Sequence, residues 1–510
     1  ALLLGRASAL DVTGLSAEDQ LDQLLLVRTL SDKLQAIRLK TFEMPVDQFG
    51  GVQIGLAQLM ASVPLDSVRH YEDYISRLNQ VPRYFDQVME VMRQGEKDGL
   101  MPPRFLLELT TKQCQAIEEP QGAANIFALP AARIPAGFSA ADQRRLRAEI
   151  LRAVDTKVRP AYRKLQQFIA NDYAPKGRIE PGIWSLPGGD ARYRFAIHTQ
   201  TTSDMTPDQI HQLGLAQVAD VEAQITALAK SAGFVDAKSF RASIYADPKL
   251  TPTSRQQILD QYLQYITQMQ PHLPQLFGLL PKANVIVKSV PSYKEKESST
   301  EYHQGTVDGS RGGEVWVNTY DFQHQSLLDN ESTAYHEGIP GHHMQLSIAQ
   351  ELPGIHPFHR ALSDDYNAYV EGWALYAERL GKEVGFYQDP ASDLGRLDSE
   401  LFRAIRLVVD TGVHYKHWTR QQMLDYFSQH LAGNWNSEVD RYIADPGQAL
   451  GYKIGQLKIL ELRKYAQDQL GNKFDVREFH DEILNAGALP LDVLDSRIRA
   501  WVASRKTAQG

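Results

Sequence analysis

Apolar residues recur at spacings of three and four along most of the chain, which is the period of an amphipathic helix. The pattern is clearest over residues 18–40, 67–99 and 141–171, and again over 388–418 and 449–470. Pro82 and Pro160 fall inside two of these stretches and are expected to kink or break them. Thr206 before Pro207 has the order of an N-cap followed by a first-turn proline, and a similar start precedes 252–270. The periodicity predicts a mostly α protein.

Strand signals are few and lie close together. Residues 283–293 are rich in β-branched side chains, and residues 312–321 alternate in the period of a strand after two glycines. Both precede a histidine-rich segment, so we expect a small β element next to the active-site helix. The stretch 314–320 could offer an edge on which an extended peptide lies, with Asn318 in contact with it. A short hairpin that only covers the core is the alternative.

No internal repeat, low-complexity tract or sharp change of composition divides the 510 residues. We therefore predict one large helical domain over 1–510. A division into two lobes around a cleft is also compatible with the pattern, with an N-terminal helical lobe over about 1–280 and a metal-binding catalytic lobe over about 281–510.

Composition narrows the class of partner. The chain is 43% hydrophobic and 23% charged, with a formal net charge of -8, which is ordinary for a soluble globular protein. A mildly acidic chain without a basic block argues against nucleic acid and against an anionic membrane surface. Cys114 is the single cysteine, so an internal disulfide is excluded and a small buried residue is expected.

The first residues bear on location. The chain starts at Ala1 with the apolar run Leu2 to Leu4, followed by Gly5 and Arg6, which is far too short to cross a membrane. We predict no integral membrane segment. This start suggests a cleaved signal peptide and hence a periplasmic protein or a membrane-anchored lipoprotein, with a cytoplasmic location as the alternative.

The candidate chemistry is concentrated in the sequence HEGIPGHH, from His336 to His343. In the zinc motif H-E-x-x-H two histidines four residues apart share one helix face at about 6 Å. Here Pro340 occupies that fourth position, and His342 follows His336 at a spacing of six. On a regular helix this spacing turns the second histidine roughly 120° around the axis and about 9 Å along it. The two histidines can reach one ion only if the helix is distorted between them.

Pro340 and Gly341 provide for such a distortion. Pro340 cannot donate the backbone hydrogen bond that the carbonyl of His336 would accept, and Gly341 tolerates unusual backbone angles. We predict helix on both sides of Pro340, with Asn330 as the N-cap and a widened turn that brings His336 and His342 to one zinc ion. The alternative is a Pro-Gly kink whose histidines are only surface polar groups.

A third metal ligand is expected within 364–381, where Glu371 and Glu378 lie seven residues apart on nearly the same helix face. Glu371 is preferred because Gly372 follows it and lets another backbone or a ligand approach closely. Two histidines and a glutamate would hold zinc and leave a fourth position for water, although other divalent ions accept the same donors. His343 could be a ligand, a donor behind the ligands or a solvent-facing neighbour.

Four motifs in this order resemble a large bacterial family, the domain of unknown function 885. They are 336–343, 371–378, 403–414 with the Trp-Thr pair that follows, and 445–455, while weaker similarity over 186–215 and 306–321 extends the resemblance to most of the chain. The motif order is similar to that of gluzincin metallopeptidases, although H-E-x-x-H itself is incomplete here. The mostly α architecture resembles the helical oligopeptidases and the angiotensin-converting-enzyme-like metallopeptidases.

The gluzincin resemblance implies a zinc-dependent peptidase with a peptide substrate. Glu337 would be the general base that takes the proton of the attacking water. In gluzincins a downstream histidine or tyrosine stabilises the oxyanion, and the matching segments contain His414 and Tyr452. Arg403 and Arg406 could hold a substrate carboxylate, but a structural ion pair is as good an interpretation of each.

Two hypotheses that assign the protein to other functional classes stay open. One is a non-catalytic helical protein that binds a metal or a peptide without turnover. The other is a zinc hydrolase that acts on another amide or on an ester.

Overall fold

The computed structural model of the chain describes residues 1–291, 295, 298–309, 311–363 and 365–507. The last residues of the predicted strand 283–293 and the first residue of the predicted helix 364–381 lie outside the described residues. Among the residues described, no helix combines the length and the apolar content that a membrane span requires.

The described residues are mostly helical, which confirms the predicted fold class. The α-helices are α1 (Leu2–Ser8), α2 (Ala17–Arg38), α3 (Val52–Ser62), α4 (Val68–Lys97), α5 (Arg104–Glu118), α6 (Ala140–Ala153), α7 (Arg159–Phe168), α8 (Gly189–Thr201), α9 (Pro207–Ser231), α10 (Ala237–Tyr245), α11 (Arg255–Met269), α12 (Leu273–Leu276), α13 (Asn330–Glu337), α14 (His342–Glu351), α15 (Pro357–Ala361), α16 (Asn367–Glu383), α17 (Pro390–His414), α18 (Arg420–His430), α19 (Asn436–Ala444), α20 (Gly451–Leu470), α21 (Val476–Leu484) and α22 (Leu491–Thr507).

The two prolines inside predicted helices act differently. Pro82 lies within α4, which continues through it over 30 residues, so the expected break does not occur. Ahead of Pro160 the helix widens into a π turn at residues 154–158 and continues as α7 from Arg159, so the hydrogen-bond pattern changes at the proline but the helix does not end there. The predicted start of α9 is confirmed, because the side chain of Thr206 accepts the N–H of Gln209 in a reciprocal capping box.

A three-stranded sheet lies just upstream of the histidine segment in sequence. Its strands are β1 (Val285–Ser289), β2 (Glu301–His303) and β3 (Gly313–Val317), in the order β1-β3-β2. β3 pairs parallel to β1 and antiparallel to β2, so it is the central strand of this sheet. The prediction of a substrate-binding edge at 314–320 is therefore wrong, since both sides of β3 are already paired.

Buried apolar side chains form three clusters. One is confined to residues 46–174. Another joins Leu25 and residues 193–277 to residues 315–502, and the third joins Leu106 and residues 218–240 to residues 394–449. Helices that precede residue 280 thus share cores with helices that follow it, while the division into two lobes near that residue stays a prediction.

Candidate metal centre

The chain breaks between the two motif histidines. α13 ends at Glu337 and α14 begins at His342, so the structure has two helices joined by a tight turn where we predicted one helix with a widened turn. A methyl group at Gly341 would lie 1.9 Å from the carbonyl oxygen of His336, so only glycine permits this close approach. The indole N–H of Trp373 donates to the carbonyl of Pro340 at 2.9 Å and fixes the turn to α16.

This turn brings the histidine rings together. The ring centroids of His336 and His342 are 4.8 Å apart and the rings are perpendicular. Glu371 of α16 completes the cluster: its Oε2 atom lies 3.4 Å from Nε2 of His336 and 3.3 Å from Nε2 of His342. The three candidate ligand atoms all lie within 4.8 Å of one another. The structure thus joins the three residues that the sequence predicted as one ligand set.

These separations fit a zinc ion. Two ligand atoms at about 2.05 Å from zinc and at the tetrahedral angle are about 3.3 Å apart. In addition, Oε2 of Glu371 is buried and has the two imidazole nitrogens at 3.3 and 3.4 Å as its polar neighbours, so a cation between them would satisfy a polar atom that is otherwise weakly bonded. The donor set, two imidazoles and one carboxylate, is one that zinc accepts while keeping a fourth position open.

The electrostatics of the cluster keep Glu371 ionised. Burial alone would raise the pKa of Glu371, but the two histidines outweigh burial and hold that pKa well below its usual value. Burial likewise disfavours protonation of His336, yet its hydrogen bonds to Glu371 and Glu378 raise its pKa. The carboxylate of Glu371 therefore stays ionised, which is the form that a metal ligand requires.

Glu378, the other candidate for the third ligand, lies on the opposite nitrogen of His336. Nδ1 of His336 donates to Glu378 Oε1 at 2.9 Å, and the hydroxyl of Ser399 donates to Glu378 Oε2 at 2.8 Å. This contact leaves Nε2 of His336 as the nitrogen that faces Glu371. The arrangement orients the imidazole in the way that metal-binding histidines are commonly held by a carboxylate.

Arg403 belongs to this group behind His336. Its guanidinium donates to the backbone carbonyl of Ser399 at 3.2 Å and to the hydroxyl of the same residue, and lies 3.7 Å from Glu378 Oε1. The sequence offered two interpretations of Arg403, a contact to a substrate carboxylate and a structural ion pair. Its contacts with α16 and α17 support the ion pair and place it behind the glutamate that holds the histidine.

Glu337 is buried beside the cluster and is not one of its three members. Burial, reinforced by the charge of Glu371 and opposed by that of His342, raises the pKa of Glu337 to about 7. A buried carboxylate with a pKa near neutrality is suited to exchange a proton.

His343 is buried, so the solvent-facing interpretation of this residue is wrong. Its Nε2 atom donates to the carbonyl of Ala283 at 3.0 Å, and its Nδ1 atom lies 3.1 Å from the hydroxyl of Tyr302 in β2. One nitrogen thus contacts the segment that leads into β1, and the other contacts β2. His343 fastens α14 to the strands and does not join the ligand set.

Tyr452 of α20 lies against the cluster. Its ring stacks on that of His336 with centroids 6.4 Å apart and planes 15° apart. The approach of α20 to α16 depends on glycine, because a methyl group at Gly372 would lie 2.4 Å from Cα of Gly455. This confirms the close backbone approach that Gly372 indicated, and it sets Tyr452 next to the helix that carries Glu371.

His414 cannot serve as an oxyanion donor in this arrangement. Its Nδ1 atom accepts the backbone N–H of Ile183 at 3.0 Å, and its Nε2 atom donates to the carbonyl of Tyr442 at 2.9 Å. Burial also lowers its pKa to about 3, so the ring is neutral. The prediction for His414 is corrected: it joins three segments of the fold through backbone bonds.

Two predicted substrate contacts are also structural. Arg406 donates to the hydroxyl of Tyr442 at 2.9 Å and to Glu438 at 3.1 Å, which is the ion pair weighed as its alternative. The side-chain amide of Asn318 donates to the carbonyls of Glu295 and Ser298, and its oxygen accepts the N–H of Tyr320. Asn318 therefore shapes the loop after β3 and is not available to a peptide.

The sequence pointed less directly to the supporting residues. Ser399 and Arg403 lie four residues apart on α17, so they share a helix face, but nothing local indicates that this face meets Glu378. Arg441, which donates to the hydroxyl of Tyr452 at 3.2 Å, was missed altogether. The only feature of the sequence that could have indicated this contact is that α19, which carries Arg441, directly precedes α20, which carries Tyr452.

Comparison with known proteins identifies relatives of this chain. Residues 3–498 match the family described as bacterial protein of unknown function (DUF885). The solved structure of the "putative lipoprotein" from Colwellia psychrerythraea is 32% identical, with a TM-score of 0.86 over 90% of this chain and 81% of that chain. A "putative lipoprotein of unknown function" from Shewanella oneidensis shares the fold at 19% identity, with a TM-score of 0.67 over 96% of this chain and 89% of that one.

A search of curated proteins gives no significant match. The family match covers nearly the whole chain and agrees with the family that the four sequence motifs resemble. The protein belongs to the bacterial DUF885 family.

Proposed function

We propose that this protein is a zinc-dependent peptidase. The observation that carries the proposal is the distance from Oε2 of Glu371 to Nε2 of His336 and to Nε2 of His342, 3.4 and 3.3 Å, which is close to the edge of a zinc tetrahedron. All three atoms lie within 4.8 Å of one another. The order of these ligands, with a glutamate beside the first histidine and a glutamate ligand on a later helix, is similar to that of gluzincin peptidases. The helical architecture supports the same analogy.

A bound zinc ion would supply Lewis-acid polarisation of a water molecule and of the substrate carbonyl. Glu337, which is buried beside the ligand cluster, accepts the proton of the attacking water and returns it to the leaving amine. Tyr452, stacked on His336, donates a hydrogen bond to the oxyanion that develops on the carbonyl. Glu378 holds the imidazole of His336 in the required tautomer.

The net charge bears on the kind of partner, and one relative bears on the location of the protein. The chain carries a net charge of -8, which disfavours nucleic acid as a partner. The Colwellia psychrerythraea structure is named as a "putative lipoprotein", and we infer a secreted or anchored location for this chain by analogy.

The first test combines metal content with hydrolysis. We expect about one zinc per chain by elemental analysis of the untagged protein, and cleavage of members of a panel of peptides with free and blocked ends. Removal of zinc by a chelator should abolish cleavage, and zinc added back should restore it. Zinc without cleavage of any peptide would favour a binding protein, and cleavage of simple esters or non-peptide amides alone would favour another zinc hydrolase. Absence of zinc after loading would refute the proposal.

The contact between Glu378 and His336 gives a second test. Glu378→Gln keeps the size of the side chain but removes its charge, so we expect the zinc dissociation constant to rise about 10-fold or more. Competition with a colorimetric chelator measures this constant. The control is Glu383→Gln on the same helix, where the carboxylate pairs with Arg463 near the surface. Unchanged affinity in Glu378→Gln would contradict the assigned role.

A further inference from the structure

The hydroxyl of Tyr452 is held by two donors. Nη2 of Arg441 lies 3.2 Å from the hydroxyl oxygen, and Nε2 of Gln448 lies 3.5 Å from it. Arginine has no acceptor, so the bond from Arg441 runs in one direction only. The same Nη2 atom lies 2.7 Å from Oε1 of Gln448, and this fixes the orientation of the amide so that its nitrogen faces Tyr452.

The direction of these bonds determines where the tyrosine proton goes. With its oxygen accepting from Arg441 and Gln448, Tyr452 has its single O–H left to donate. Among the described residues no acceptor is recorded for that proton. Because the ring stacks on His336, a ligand beside the histidine cluster is the natural acceptor.

Further contacts hold Gln448 and Arg441 in place. Asn367 donates to the backbone carbonyl of Gln448 at 2.8 Å and accepts from its side-chain amide at 3.3 Å. Asn367 lies four residues before Glu371 on α16, so the same helix that supplies a metal ligand also fixes Gln448. Arg441 lies 4.8 Å above the ring of Phe49 and 3.8 Å from Glu438. The guanidinium therefore has contacts on several sides that limit its movement.

We propose that Arg441, together with Gln448, is a positioning residue that makes Tyr452 an obligate hydrogen-bond donor to the oxyanion of the substrate. This inference rests on the proposed peptidase function and adds the group that orients its oxyanion donor. A hydroxyl that accepts from a cation is a stronger donor, because hydrogen bonds in a chain polarise one another. Arg441 acts through Tyr452 and does not touch the substrate.

Kinetics provide one readout. We expect Tyr452→Phe to lower kcat on the order of 100-fold, as for loss of one oxyanion donor. Arg441→Met should lower kcat about 10-fold with KM within about twofold, because its effect is confined to the transition state. The double variant should be no slower than Tyr452→Phe alone. Arg441→Lys, which keeps a cationic donor, should recover part of the loss.

A spectroscopic readout is independent of zinc and of turnover. With 3-fluorotyrosine incorporated at position 452, the ¹⁹F signal should move in Arg441→Met. It should stay in place in Arg420→Met, a matched loss of a guanidinium that pairs with Asp440 of the same α19. Arg441→Gln serves if the methionine variant does not fold, as judged by thermal melting.

The outcomes separate the inference from the proposed function. Two results would overturn the positioning role of Arg441 even if peptides are cleaved. One is an additive loss of kcat in the double variant, and the other is a ¹⁹F signal that does not move in Arg441→Met. Conversely, absence of cleavage by the parent protein overturns both the peptidase and the oxyanion role of Tyr452. A moved ¹⁹F signal then still establishes the bond from Arg441.

Discussion

Replacement of Glu337 by glutamine is expected to lower kcat for peptide hydrolysis by roughly 1,000-fold while one zinc ion per chain is retained. General acid–base groups contribute about 10²- to 10⁴-fold, and glutamine keeps the shape of the side chain but cannot take a proton from water. Glu337 is not a member of the candidate ligand set, so its replacement leaves His336, His342 and Glu371 in place. Steady-state kinetics on a cleaved peptide, with elemental analysis of the same sample, measures both quantities.

Glu331→Gln is the matched control for this variant. Glu331 lies on the same helix, is also buried, and accepts the hydroxyls of Tyr335 and Ser392 away from the ligand set. Its replacement should leave kcat within about twofold, although some stability is lost with the weakened bonds. A Glu337→Gln enzyme with near-normal kcat would remove the general base from the mechanism. A Glu337→Gln protein that has lost its zinc would show that Glu337 acts through metal binding.

Much of the helical fold could be predicted because its signal is local. The start of α9 follows from Thr206 and Pro207 alone, since the capping box is made within four residues. The sheet could not be predicted to the same depth. β2 is only three residues long, which is too short for a period-two pattern. Because β2 pairs with β3, β3 is a central strand and not the predicted edge.

The candidate site, too, could be predicted only in part. The identities of the metal ligands could be predicted from residue type and spacing, because His336, His342 and Glu371 belong to motifs with a chemical reason for their order. The roles of His414 and Arg406 could not, because their partners lie far away in sequence or on another helix, at Ile183 and Glu438. Buried polar groups must be paired, and the sequence does not reveal which pairs the tertiary fold creates.

Replacement of His342 by alanine is expected to abolish stoichiometric zinc binding, and with it the stabilisation that zinc gives to the folded chain. A ligand present at about 100 times its dissociation constant stabilises the native state by about 2.7 kcal/mol. The melting temperature of the parent should therefore rise on addition of zinc, whereas that of His342→Ala should not respond. Two ligands remain in this variant, but they no longer supply the three donors that a zinc site of this type requires.

His343→Ala is the control at the adjacent position, and we expect it to lose stability but to keep its zinc. His343 bonds to Ala283 and Tyr302 and takes no part in the ligand set. Its loss leaves the half-buried carbonyl of Ala283 without its donor, which costs about 1 kcal/mol. The melting temperature without zinc should fall, while the zinc content and the response to zinc persist. If His343→Ala loses zinc and His342→Ala keeps it, the tight turn directs the other histidine to the metal and the assignment of ligands is wrong.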